Sequence, residues 1–189
     1  MQVILGSQSK GRRSVLESMG YSFTTMSPDI DEKAIRFEDP EKLTLTLAHA
    51  KADSLLPKIQ TPSILITSDQ VVVCNREIRE KPESEEEARK FLISYVQHPA
   101  ETVTAVIVVN TENNKRLEGV DRAKVWFQPI PDDVIGALIK KGTVFLLAGG
   151  FTIEDPQLEK YIMRIEGERE SIIGLPKALT ERLIREIQQ

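Results

Sequence analysis

The chain has 189 residues, 40% of them hydrophobic and 29% charged, with a formal net charge of −4. Those values belong to a soluble globular protein of one domain, residues 1–189. The acidic balance argues against long nucleic acid as a partner, which would favour a basic stripe, and no apolar run approaches the ~18 residues of a membrane span. Cys74 is the only cysteine, so an intrachain disulfide and a cysteine zinc cluster are both excluded. In Val71-Val72-Val73-Cys74 it reads as a small buried apolar residue. His49 and His98 stand in no metal-ligand pattern. The N-terminal residues lack a basic region followed by a long apolar core, so a cytoplasmic location is expected.

Apolar periods alternate between strand and helix along the chain. Val3–Leu5 reads as a buried strand, and Arg12–Met19 as a helix stopped by Gly20. Tyr21–Met26 is extended, and Ser27-Pro28 breaks it. Asp39-Pro40-Glu41 supplies a capping Asp, a Pro at the first helical position and an acid in the first turn. Leu43, Leu47, Ala50 and Leu55 follow at near-helical spacing, and Pro57 limits that helix. Ile64–Ile66 reads as a strand, and Val71–Cys74 continues the sheet. Ser84-Glu85-Glu86-Glu87 has the form of a capping box, with Ala88, Phe91, Leu92 and Tyr95 behind it on one face. Thr102–Val109 and Ala123–Phe127 read as strands, with a turn at Glu112-Asn113-Asn114 between them. Pro131-Asp132-Asp133 opens a helix that ends near Gly142, and a last helix follows Pro176. The alternation predicts an α/β fold, and the hairpin around Asn113 makes the sheet mixed.

Three places can carry chemistry. Gly6-Ser7-Gln8-Ser9-Lys10-Gly11-Arg12-Arg13 packs hydroxyls, glycine and cations between strand and helix, where backbone N–H groups can meet phosphate. It has neither Walker nor dinucleotide-turn spacing, so a basic first helical turn fits it as well. Asp69 is expected where a buried strand ends, able to ligate Mg²⁺ or take a proton from water, or else simply to cap a turn. Asp29, Asp31 and Glu32 form an acidic cluster that a solvated loop also explains. Lys51 among alanines reads as a lysine on a solvated helix face, where Lys51→Ala would change stability by no more than about 0.5 kcal/mol. Lys81-Pro82 reads as a loop cation. Together, hydroxyls, separate cations and a carboxylate suit triphosphate hydrolysis.

Seven short motifs in one order resemble the Maf-like nucleoside triphosphate pyrophosphatases, a family related in fold to the inosine triphosphatases. They are Ser7–Arg13, Asp29-Ile30-Asp31-Glu32, Ala48-His49-Ala50-Lys51-Ala52, Ser68-Asp69-Gln70-Val71-Val72, Glu80-Lys81-Pro82, Ala148–Glu154 and Ile173-Gly174-Leu175-Pro176. The resemblance implies hydrolysis of a nucleoside triphosphate to the monophosphate and pyrophosphate, with Mg²⁺ or Mn²⁺. It implies Asp69 as base or metal carboxylate, Glu32 as second metal carboxylate, and Ser7, Arg12, Lys51 and Lys81 on the phosphate chain. It also implies an elongated α/β fold with a twisted mixed sheet, flanking helices and a cleft between two lobes, in a homodimer.

Gln70 and Glu154 resemble the pair that accompanies 7-methyl-GTP, where Thr and Gln accompany dTTP and UTP. A carboxylate can accept from both N1–H and N2–H₂ of guanine, which agrees in direction. Phe151 could supply an aromatic face for the cationic base, or be core. Two departures stand out: Gly11 replaces an aromatic of the 7-methyl-GTP branch, and Asp155-Pro156 follows Glu154 where relatives continue with glycine. The alternatives are a dTTP/UTP pyrophosphatase, and a regulatory binding module of septum formation, the association behind the family's name.

Overall fold

A computed structural model describes all residues, Met1–Gln189. Seven strands form one mixed sheet: β1 (Gln2–Leu5), β2 (Phe23–Thr25), β3 (Ser63–Cys74), β4 (Glu77–Arg79), β5 (Ala100–Asn110), β6 (Arg116–Phe127) and β7 (Ile162–Glu166). The order is β2-β1-β3-β5-β6-β7, with β4 paired to β3. The helices are α1 (Lys10–Ser18), α2 (Pro40–Leu55), α3 (Glu85–Ser94), α4 (Asp132–Lys141), α5 (Pro156–Glu159), α6 (Arg169–Ile173) and α7 (Lys177–Ile187). The mixed α/β expectation holds. The chain divides into two compact units, residues 1–70 with 104–121 and 173–189, and residues 71–103 with 122–172.

The first unit is built on parallel pairing. β1 lies between β2 and β3, with Val3 opposite both Phe23 and Ile64. Alternation along these strands sorts the core onto two faces. Val3, Leu5, Ile64 and Ile66 pack with Val15 and Leu16 of α1 and with Leu183, Ile184 and Ile187 of α7. Ile4 and Leu65 face the other way, onto Ala48, Ala52 and Leu55 of α2. Two alanines on the inner face of α2 bring that helix close to the sheet. The α2 start is as expected: the Asp39 carboxylate accepts from the N–H groups of Glu41 and Lys42 at 2.8 and 3.0 Å. Ala50 is only half-buried; Lys51 takes the inward place beside Ala48 and Ala52.

The second unit holds an aromatic cluster. Tyr95, Phe127 and Phe151 meet with ring centroids 5.4–5.9 Å apart. Phe151 is 6% exposed, so it is core and not a free face for a base. Arg79 is buried, stacked on Phe91 and Tyr95 at 4.7 and 5.0 Å, and donates to the Phe91 carbonyl and Ser94 Oγ. It thereby satisfies a carbonyl of the last turn of α3. At the start of that helix Ser84 Oγ accepts from Glu87 N–H, but the Glu87 carboxylate accepts from Glu83 N–H, one residue before the cap.

Two expectations are corrected. The strand pieces at 64–66 and 71–74 are one continuous strand, β3, so Asp69 stands inside a strand and not at its end. Its polar stretch tolerates burial because each side chain has a partner: Thr67 Oγ1 donates to the Ala48 carbonyl, and Gln70 Nε2 donates to Thr104 Oγ1, both at 2.8 Å. β6 begins at Arg116, directly after the turn, and not at Ala123. The residues 75–79 form a hairpin with β3, turned by Asn75 and Arg76, both at positive φ, as in a two-residue I′ turn.

Candidate active site

The site grows from the end of β1. Gly6 is required there, since a Cβ would lie 2.6 Å from the Thr67 side chain and 2.7 Å from that of Leu55. The chain then turns into α1, capped by Ser9, whose Oγ accepts from Arg12 N–H at 3.4 Å. Ser7 is buried, and its Oγ accepts from Ser9 N–H at 3.1 Å and from Arg12 Nη1 at 3.5 Å. Arg12 Nε donates to the Gly174 carbonyl at 3.0 Å, and Ser68 Oγ donates to the same oxygen at 3.3 Å. The loop before α7 thus fixes the Arg12 side chain. Gly174 has φ +119°, a conformation that excludes most other residues.

Across the sheet, α2 presents Lys51. Its ammonium donates to Asp69 Oδ1 at 2.5 Å and lies 2.8 Å from Glu32 Oε1. Lys51 is 5% exposed and Asp69 6%, whereas the Glu32 side chain, on a short turn after Asp31, is 48% exposed. The solvated helix face expected for Lys51 is therefore wrong: the lysine is buried because a carboxylate on β3 meets it, which periodicity along α2 does not reveal. His49, two residues earlier on α2, turns instead to Glu118 at 2.5 Å and Arg116 at 2.9 Å. Burial lowers the pKa of the Arg12 guanidinium, against the upward pull of Asp69 and Glu32. Arg12 stays protonated at any working pH, so two cations and two carboxylates balance here.

The first unit thus brings together Ser7, Arg12, Glu32, Lys51, Asp69 and Gln70. Lys81 and Glu154 belong to the second unit, and both are exposed. There Gly149 N–H donates to the Glu80 carbonyl at 2.9 Å and Tyr95 Oη to the Gly149 carbonyl at 2.7 Å, tying the Lys81 loop to the segment before Glu154. Ser68, Thr104 and the Gly174 carbonyl support the site without having been singled out by role. A Ser, a Thr and a Gly carry no charge pattern to mark them.

A buried carboxylate paired with a lysine thus lies next to a hydroxyl-and-arginine turn at a helix start. The family described as Maf-like protein matches residues 2–187. The chain belongs to the Maf family. A 7-methyl-GTP pyrophosphatase of Dictyostelium discoideum is 50% identical over 99% of this chain and 98% of that protein. A second protein of that name, from Vibrio vulnificus, is 33% identical over 93% of this chain and 89% of its own. A dTTP/UTP pyrophosphatase of Vibrio parahaemolyticus is 31% identical over 98% of this chain and 97% of that protein.

This Maf chain explains its own departure at residue 11. A Cβ on Gly11 would lie 2.8 Å from Ile173 Cγ2 and 3.0 Å from the Ile173 carbonyl. The place an aromatic side chain would leave from is filled by the loop that holds Arg12. The second departure is a helix start: the Asp155 carboxylate accepts from Gln157 N–H at 2.9 Å and from Lys141 Nζ at 2.7 Å.

Proposed function

We propose that the protein hydrolyses 7-methyl-GTP to the nucleoside monophosphate and pyrophosphate. The observation that carries the reading is the buried Asp69–Lys51 contact shared with Glu32 and flanked by Arg12, in a chain half identical to a relative bearing that name. Asp69 is the base that takes a proton from the attacking water, held in place by the interior of β3. Arg12, Ser7 and Lys51 meet phosphate oxygens and spread the charge that develops on them. Lys81 is assigned to the phosphate chain on the motif Glu80-Lys81-Pro82, and Gln70 and Glu154 to the base.

The carboxylates fit a divalent cation. Asp69 Oδ1 and Glu32 Oε1 converge on one positive centre, at 2.5 and 2.8 Å from it. No group of three or more His, Cys, Asp or Glu is placed to hold a metal, and Mg²⁺ needs none, since one or two carboxylates suffice when substrate phosphates and water complete its shell. Asp69 and Glu32 would hold Mg²⁺ or Mn²⁺, which supplies neutralising charge to the phosphates when bound. A cytoplasmic enzyme of this kind removes a modified nucleotide from the pool.

The test is product analysis over a panel of 7-methyl-GTP, GTP, UTP and dTTP. Pyrophosphate and monophosphate are expected, with 7-methyl-GTP turned over best. Diphosphate with orthophosphate, or full activity in excess EDTA, overturns the reaction; a preference for UTP or dTTP overturns the base assignment.

A further inference from the structure

We infer that Lys51 is the resident counter-ion of the Asp69–Glu32 pair and competes with the divalent cation for it. The inference rests on the metal assignment of these two carboxylates in the proposed function. Its basis is geometric. The ammonium occupies the point where Asp69 Oδ1 and Glu32 Oε1 converge, at 2.5 and 2.8 Å. The side chain is 5% exposed, so the ammonium has exchanged most of its water for those two oxygens.

Burial of this kind is stable only with both partners. An unpaired carboxylate at Asp69, 6% exposed, would be costly, and the lysine removes that cost. A divalent cation taking the same oxygens would do the same, but it could not share them with an ammonium at hydrogen-bond distance, because like charges at that separation repel. The two occupants therefore exclude one another. The Lys51 backbone is fixed on α2, flanked by fully buried Ala48 and Ala52, while a lysine's four-carbon stem has rotatable bonds through which the ammonium can be moved. Displacement frees one ammonium for the phosphate chain. Cation loading and phosphate binding are then favourably linked through one side chain, a coupling that is reciprocal by necessity. Arg12 cannot take this part, since its Nε is held by the Gly174 carbonyl and its Nη1 by Ser7.

The experiment is a titration of the full-length protein with Mn²⁺ alone, read by calorimetry and by the electron-paramagnetic signal of free Mn²⁺, with no nucleotide present. Lys51→Met keeps the stem and removes the charge. It should bind Mn²⁺ at least tenfold more tightly than the wild type, whereas Lys51→Arg should bind no more tightly than the wild type. Lys51→Met/Asp69→Asn should lose the gain. An affinity in Lys51→Met equal to or below that of the wild type overturns the inference, as does a gain that survives in the double variant. If Lys51→Met is unfolded in metal-free buffer, Mn²⁺ should restore a cooperative melting transition, and failure to do so is equally decisive. Wild-type protein that releases pyrophosphate while Lys51→Met shows no gain sinks the competition alone; wild-type protein that releases none sinks the functional reading itself.

Discussion

Removing the Lys51 ammonium should destabilise the fold far more than a surface lysine would. Lys51 and Asp69 are 5% and 6% exposed and meet at 2.5 Å. Breaking such a buried pair by deleting one partner costs about 3–5 kcal/mol, because the remaining charge is left buried. Two features of the site reduce this. Glu32 is half-exposed, so losing its contact costs little, and Arg12 still attracts Asp69. Lys51→Ala should therefore cost about 2–4 kcal/mol, a fall in Tm of roughly 5–15 °C for a chain of this size. Urea unfolding at neutral pH, without added metal, measures it. The double variant Lys51→Ala/Asp69→Asn removes the stranded charge and should recover a large part of the loss, a coupling that a double-mutant cycle isolates. A single variant within about 0.5 kcal/mol of the wild type would refute the buried pair and return Lys51 to the surface.

Asp69→Asn should fold and lose about 10²–10⁴ in turnover, the usual contribution of a general base; steady-state kinetics on a folded sample decide, and wild-type turnover removes Asp69 from catalysis. Glu154→Gln should lose activity on 7-methyl-GTP and gain it relative to the wild type on UTP or dTTP, since it deletes a charge and turns one acceptor into a donor; an unchanged substrate profile excludes Glu154 from the base contact. Burial pushes the Asp155 carboxyl upward, but Lys141 and the Gln157 N–H outweigh it and hold its pKa below the ordinary value. A depressed folded pKa gives stability that is full above the unfolded pKa, about 3.9, and lost as pH falls through the folded one. Lys141→Met should therefore flatten the stability loss below about pH 4, and an acid limb identical to that of the wild type would show that Lys141 does not hold the carboxylate.

What the sequence made legible was whatever repeats locally. The Asp39 and Ser84 caps, the Gly20 and Gly142 stops and the apolar run of β1 each report on neighbours within a turn or a strand, and the structure has them in place. What it hid depends on distant partners. Asp69 read as a strand end because Thr67-Ser68-Asp69-Gln70 is polar, yet the strand continues since Ala48, Gly174, Lys51 and Thr104 satisfy those side chains from far along the chain. Arg79 gave no sign of burial, because its carbonyl and hydroxyl partners lie on α3. The short β4, β7, α5 and α6 escaped because three to five residues carry too little periodicity. Of the eight residues the motifs name, Ser7, Arg12, Glu32, Lys51, Asp69 and Gln70 fall in the first unit, and Lys81 and Glu154 in the second.

The near-contact of Gly11 with Ile173 bears on how such an enzyme could be re-engineered. Residues at opposite ends of the chain share one small volume, with the Ile173 backbone 3.0 Å from the missing Cβ. Grafting a large ring onto position 11 by a single codon change would push on the segment whose next residue, Gly174, anchors Arg12. Evolution between the two arrangements must then pass through paired changes at both ends, or through an intermediate with a misplaced arginine. Placing an aromatic side chain at position 11 is a two-locus problem, and libraries that vary position 11 alone should return inactive clones.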